Sequence, residues 1–61
     1  MKLTIEIEMD NAAFEDGNGT EAARILTRLA EKLADRGSVE YDDWTLFDVN
    51  GNVVGLAKVD D

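Results

Sequence analysis

Apolar and polar residues alternate over residues 2–9. Leu3, Ile5, Ile7 and Met9 fall on one side, and Lys2, Thr4, Glu6 and Glu8 on the other. A period of two with β-branched residues predicts a half-buried strand, its Glu6 and Glu8 side chains turned outward. The pattern breaks over residues 10–19, DNAAFEDGNG, which read as a loop of turn-forming residues. Phe14 is its one large apolar residue; a lid folded back on the core is the favoured reading, an anchor for a partner the other. Over residues 19–36 the period lengthens. Ala22, Ile25, Leu26, Leu29, Ala30 and Leu33 recur at spacings of three and four, the stripe of an amphipathic helix. Asn18 or Thr20 suits its N-cap; with Asn18 as cap, Glu21 falls at the third helical position, as in a capping box. Arg36 suits the negative end of the helix dipole, and Gly37 the left-handed residue that closes it.

Residues 40–59 predict a hairpin centred on DVNGN. Asp48 suits the first position of a type I turn, Asn50 the third and Gly51 the left-handed position after it, which makes a three-residue loop. This loop places Leu46 opposite Val54, Trp44 opposite Leu56 and Asp42 opposite Lys58. A two-residue Asn50-Gly51 turn would place Leu46 opposite Gly55 and Trp44 opposite Ala57. The first register gives the more continuous apolar face and is the one expected.

The elements then run β-α-β-β, an α+β fold in one domain, residues 1–61, with the helix on one face of a three-stranded sheet. The last strand, NVVGLAKV, is apolar at both alternations, so it is expected in the centre, giving the order 1-3-2; strand 1 beside strand 2 is the alternative. Phe47, Val53, Ala57 and Val59, with Tyr41 beside them, are expected on the face away from the helix. An apolar patch there would serve a second copy or a partner, unless a loop or terminus covers it.

Composition narrows the chemistry. The chain has 61 residues, neither Cys nor His, and 14 acidic residues against 6 basic, a net charge of −8. Disulfides, thiolate nucleophiles, imidazole bases and the usual zinc ligands are excluded. So much negative charge disfavours contact with phosphates or an anionic bilayer and favours basic protein surfaces. No apolar run approaches the length of a membrane span, and MKLTIEIEMD lacks the core of a signal peptide, so a cytoplasmic setting is expected.

Gly17-x-Gly19-x-x-Ala22 has the outline of a dinucleotide-binding turn. It does not follow a strand directly, and Glu15, Asp16 and Glu21 would repel a pyrophosphate. DVNGN and DGNGT resemble calcium loops, but counting from Asp48 or from Asp16 puts neither Gly at position 6 nor Glu at position 12. Asp42-Asp43 and Asp60-Asp61 pair carboxylates, yet a sheet and one helix offer no cleft for acid/base work. A non-enzymatic protein without metal or cofactor is therefore expected. Arg24, Arg28, Lys32 and Arg36 alternate with Glu21, Glu31 and Asp35, as on a solvated face with pairs Glu21–Arg24, Arg28–Glu31 and Lys32–Asp35. The helix thus carries four bases and three acids, a net of +1. The rest holds 11 acids with Lys2 and Lys58, a net of −9. Such a segregated negative field steers association with a basic groove.

FEDGNGTEAARILTRLAEKL followed by WTLFDVNGNVVGLAKV resembles the small acidic β-α-β-β proteins of bacteriophages and other mobile elements, a grouping similar in size and acidity to anti-CRISPR and anti-restriction proteins. The resemblance rests on cap, stripe and turn residues. It implies a bacterial host cytoplasm and action by binding, in some such proteins by imitating phosphate charge. The expected function is an anti-CRISPR that covers the nucleic-acid-binding surface of an effector complex. The acids expected to carry it are Glu6, Glu8, Asp10, Glu15, Asp16, Asp42 and Asp43, with Tyr41, Phe47, Val53 and Val59 as apolar interface. No direct nucleic-acid or membrane contact is expected. The alternative is a homodimeric structural module paired through the open sheet face.

Overall fold

A computed structural model describes all of residues 1–61. Strand β1 (Lys2–Ile7), a 3-10 turn (Ala12–Phe14), helix α1 (Asn18–Arg36), strand β2 (Asp43–Phe47) and strand β3 (Val53–Asp60) follow in that order. The sheet order is β1-β3-β2, antiparallel throughout, with the most apolar strand in the centre as its composition predicts. No helix is long and apolar enough to cross a membrane.

The core is small. Phe14, Ile25, Leu29, Leu46, Val54 and Ala57 form one buried cluster, with Ile7, Ala13, Leu33 and Trp44 packed against it. Full burial of a side chain such as Leu or Phe contributes about 1.5–3 kcal/mol, so in a domain this size each member counts. Phe14 is a lid: the 3-10 turn, opened by Asn11 accepting from the Ala13 N–H at 3.1 Å, drops its ring into the cluster. The helix buries a narrower stripe than expected, Ile25 and Leu29 with Glu21, while Leu26 and Ala30 lie exposed. Its N-cap is Gly17, at a φ of 131° that favours glycine, and neither Asn18 nor Thr20 caps with its side chain. Gly37 closes the other end at φ 76°, its N–H on the Leu33 carbonyl at 3.0 Å, as expected.

The hairpin loop follows the three-residue design. Asp48 N–H donates to the Asn52 carbonyl at 2.9 Å, Gly51 N–H to the Asp48 carbonyl at 3.1 Å, and Gly51 has φ 85°. The expected register does not continue beyond it. Phe47 faces Val53, but Leu46 faces Gly55, Trp44 faces Ala57 and Asp43 faces Lys58, because Val54 is an extra residue in β3. This bulge corrects the expected face assignment. An unbroken alternation from Val54 would have carried Lys58 under the helix beside Leu56, drawing an ammonium toward the core with only Asp42 opposite it. With the bulge, Val54, Ala57 and Val59 are buried, and Leu56 and Lys58 turn outward. Ala57 and Val59 are thus core residues, and Val59 is no interface residue. Gly55 makes the bulge feasible. A Cβ there would overlap the Glu6 carbonyl of β1, so only glycine allows the two backbones to approach so closely.

Candidate binding surface at the hairpin end

One end of the molecule gathers the hairpin loop, the start of α1 and the loop after β1. It is organised around two buried carboxylates. Asp48 accepts from the N–H groups of Asn50 and Asn52, both at 2.9 Å, from Asn52 Nδ2 at 3.2 Å and from Asn11 Nδ2 at 2.8 Å. The last bond ties the hairpin to the 3-10 turn that carries Phe14. Burial would push the Asp48 carboxyl up, but the hydrogen bonds from Asn52, Asn11 and Asn50 together hold it below the usual aspartate range. Glu21 accepts from Arg24 Nε at 2.8 Å and Nη2 at 3.1 Å, and from the Val49 N–H at 2.7 Å. The Arg24 guanidinium is the main reason its carboxyl lies below the usual glutamate range, against the effect of burial and with help from Val49. Arg24 Nη2 also donates to the Phe47 carbonyl at 3.2 Å. Helix, hairpin loop and 3-10 turn are thereby fastened to each other through side chains rather than through more core.

Glu21 is therefore not part of a capping box or of a solvated face. It lies four residues before Ile25 and eight before Leu29, in line with the core stripe, and that alignment is the sequence signal of its burial. Of the expected helical ion pairs only Glu21–Arg24 forms. Arg36 reaches instead to Asp42 at 2.6 Å. Arg24, Arg28 and Lys32 line a shallow groove along β2.

The expected site residues divide between two ends of a molecule 34 Å long. Glu8, whose N–H bonds the Val54 carbonyl at 2.8 Å, and Asp10, next to Asn11, stand at the hairpin end. Glu15 and Asp16 stand there too, between Phe14 and the start of α1. All four are exposed and none joins an ion pair. Glu6 lies on the open sheet face, opposite Leu56. Asp42 and Asp43 are at the far end, Asp42 bound to Arg36 and Asp43 across from Lys58, whose ammonium pairs with Asp60 at 3.2 Å. The expected apolar set divides in the same way. Phe47 and Val53 face each other at the hairpin end, 49% and 66% exposed, and Val49 in the loop between them, absent from the expected set, is 63% exposed. Tyr41 is at the far end in a left-handed conformation, φ 51°, its hydroxyl donating to Asp61 at 2.6 Å; that bond pushes its pKa up.

No family model, curated protein or solved structure matches the chain. The chemistry of the surface therefore has to be argued from the residues themselves. The hairpin end offers exposed aliphatic and aromatic side chains and four carboxylates without counter-charges, on a cross-braced base.

Proposed function

We propose that the chain is a non-enzymatic binding protein whose hairpin end docks on a basic, nucleic-acid-binding surface of another protein. Inhibition of a CRISPR effector complex in a bacterial host is the specific form of this reading. One observation carries it: Glu8, Asp10, Glu15 and Asp16 stand free of ion pairs at the same end of the molecule as exposed Phe47, Val49 and Val53. Apolar contacts supply the anchor of an interface, and the surrounding carboxylates supply steering and register on a positive surface. The bracing by Asp48 and Glu21 lowers the ordering cost on docking. Asp42 and Asp43, engaged at the far end, are not part of this surface.

The test is competition. A purified CRISPR effector complex is given labelled target DNA with and without the protein, at low and at high salt. Displacement of DNA that weakens as salt rises, and that is lost in the triple variant Glu8→Lys, Asp10→Lys, Asp16→Lys, supports the reading. Displacement that survives the triple variant removes the hairpin end from the mechanism. No displacement at any salt removes the CRISPR form of it.

A further inference from the structure

The two edges of the sheet differ. Along β2 the Arg24 guanidinium bonds the outward Phe47 carbonyl, and the basic side chains of α1 stand beside the strand. Nothing comparable covers β1. Its pairing with β3 runs Glu6 to Leu56, Thr4 to Lys58 and Lys2 to Asp60, in step with the Glu8 N–H bond to Val54. The even-numbered residues therefore use their N–H and C=O groups on β3, and those of Leu3, Ile5 and Ile7 point away from the sheet. The apolar side chains of this strand are also incompletely covered. Leu3 is 43% and Ile5 40% exposed, and Leu26, on the flank of α1 opposite Arg24 and Arg28, is 41% exposed. A straight edge with free hydrogen-bonding groups and a half-covered apolar flank is a template for another strand.

We propose that this strand is a second copy of β1, added antiparallel about a two-fold axis at Thr4, to give a continuous six-stranded sheet. The strand is self-complementary in that register. Leu3 lies beside the partner's Ile5 and Ile5 beside the partner's Leu3, and these two pairs exchange the free N–H and C=O groups. On the other face Thr4 meets its own copy, and Lys2 meets the partner's Glu6 twice over. Neither Lys2 nor Glu6 has an ion-pair partner within one chain. A register displaced by two residues, centred on Ile5, sets Lys2 against the partner's Glu8 but Glu6 against the partner's Thr4 and diagonally against the partner's Glu6, so it leaves Glu6 uncompensated and is the weaker of the two. The antiparallel arrangement also points the two acidic hairpin ends in opposite directions, so the net charge of −8 on each chain opposes association least. This proposal uses neither the hairpin end nor the open sheet face as its interface.

The test is a charge swap read by sedimentation equilibrium at micromolar to millimolar concentration. Wild type is expected to dimerise, with amide exchange at Leu3 and Ile5 slowing as concentration rises. Lys2→Glu and Glu6→Lys each set like charges opposite one another, and each is expected to weaken the dimer roughly tenfold or more. Glu6→Lys does so although it reduces the net negative charge. Mixing the two variants restores opposite charges at both positions and should recover a heterodimer of wild-type strength. Both residues are exposed, and circular dichroism confirms that each variant folds. A wild type that stays monomeric at millimolar concentration overturns the proposal. So does a dimer indifferent to both swaps, or one in which the Leu3 and Ile5 amides gain no protection and mixing the variants restores nothing, which is the outcome that pairing through the open sheet face, where Lys2, Glu6 and Val53 lie together, would give.

Discussion

At the hairpin end, the buried carboxylates of Asp48 and Glu21 are held by N–H groups fixed in the fold: backbone amides, two asparagine side chains and one guanidinium. At the far end, Asp42, Asp60 and Asp61 meet Arg36, Lys58 and the N-terminal ammonium at the surface. The first arrangement builds structure and uses few cations, which leaves Glu8, Asp10, Glu15 and Asp16 without compensation. The second neutralises charge and builds little. Similar numbers of acids thus produce a braced, strongly negative end and a loosely paired, more nearly balanced one. The difference lies in whether the partner of each carboxylate is an N–H group of the fold or a long mobile side chain.

The comparison breaks most sharply at Asp48. Asp48→Ala leaves the N–H groups of Asn50 and Asn52 and the Asn11 amide without their acceptor and unties the 3-10 turn that holds Phe14. The melting temperature should fall by more than for any single change at the far end. Hydrogen exchange at Asn50, Asn52 and Ala13 should accelerate before exchange in the β1–β3 ladder does. Unchanged protection at those three amides would contradict the bracing role.

Acid titration sharpens the comparison with a smaller effect. Asp48 and Glu21 both have native pKa values below their ordinary ones. The unfolded chain therefore takes up protons first as pH falls. The stability these groups contribute is in full force above about pH 4.5 and is lost as pH drops through their native values. The amide shift of Val49 should then move below the ordinary glutamate value of 4.5, and those of Asn50 and Asn52 below the ordinary aspartate value of 3.8. Titration of those amides at ordinary carboxylate pH would refute the assignment.

Arg36→Ala should have the smallest effect. Arg36 is half exposed in its pair with Asp42, and loss of a surface pair costs about 0.2–1 kcal/mol. A urea midpoint that moves as far as that of Asp48→Ala would erase the distinction between the two ends.

Much of the fold was legible in the sequence because periodicity and turn chemistry agree. The alternation over residues 2–9, the stripe through Ile25 and Leu29, the apolar last strand and the Asp48–Gly51 turn each specify one element, and together they specify the order 1-3-2. Phe14 reached the core as its isolation in a polar loop implies. The bulge was hidden because the turn supports one register and the face of β3 another. Only Lys58, which the turn-derived register would bury, distinguishes them. Of the candidate surface, the individual acids were plain, but their separation into two ends was not, since it depends on where each loop meets the sheet. Glu21 is concealed by its neighbours: a glutamate beside arginines on a helix usually faces water, and here it turns inward to accept from the Val49 N–H of the hairpin.

The extra residue at Val54 has a consequence for how this chain tolerates change. On the two sides of the bulge, inward-facing positions follow opposite parities. Losing Val54 would close the bulge and leave Leu46 opposite Gly55 and Trp44 opposite Ala57, whereas gaining a residue between Gly55 and Ala57 would exchange Ala57 and Val59 with Leu56 and Lys58 across the sheet. Variation in side-chain identity is accommodated locally at most exposed positions, but an added residue here is felt along the rest of β3.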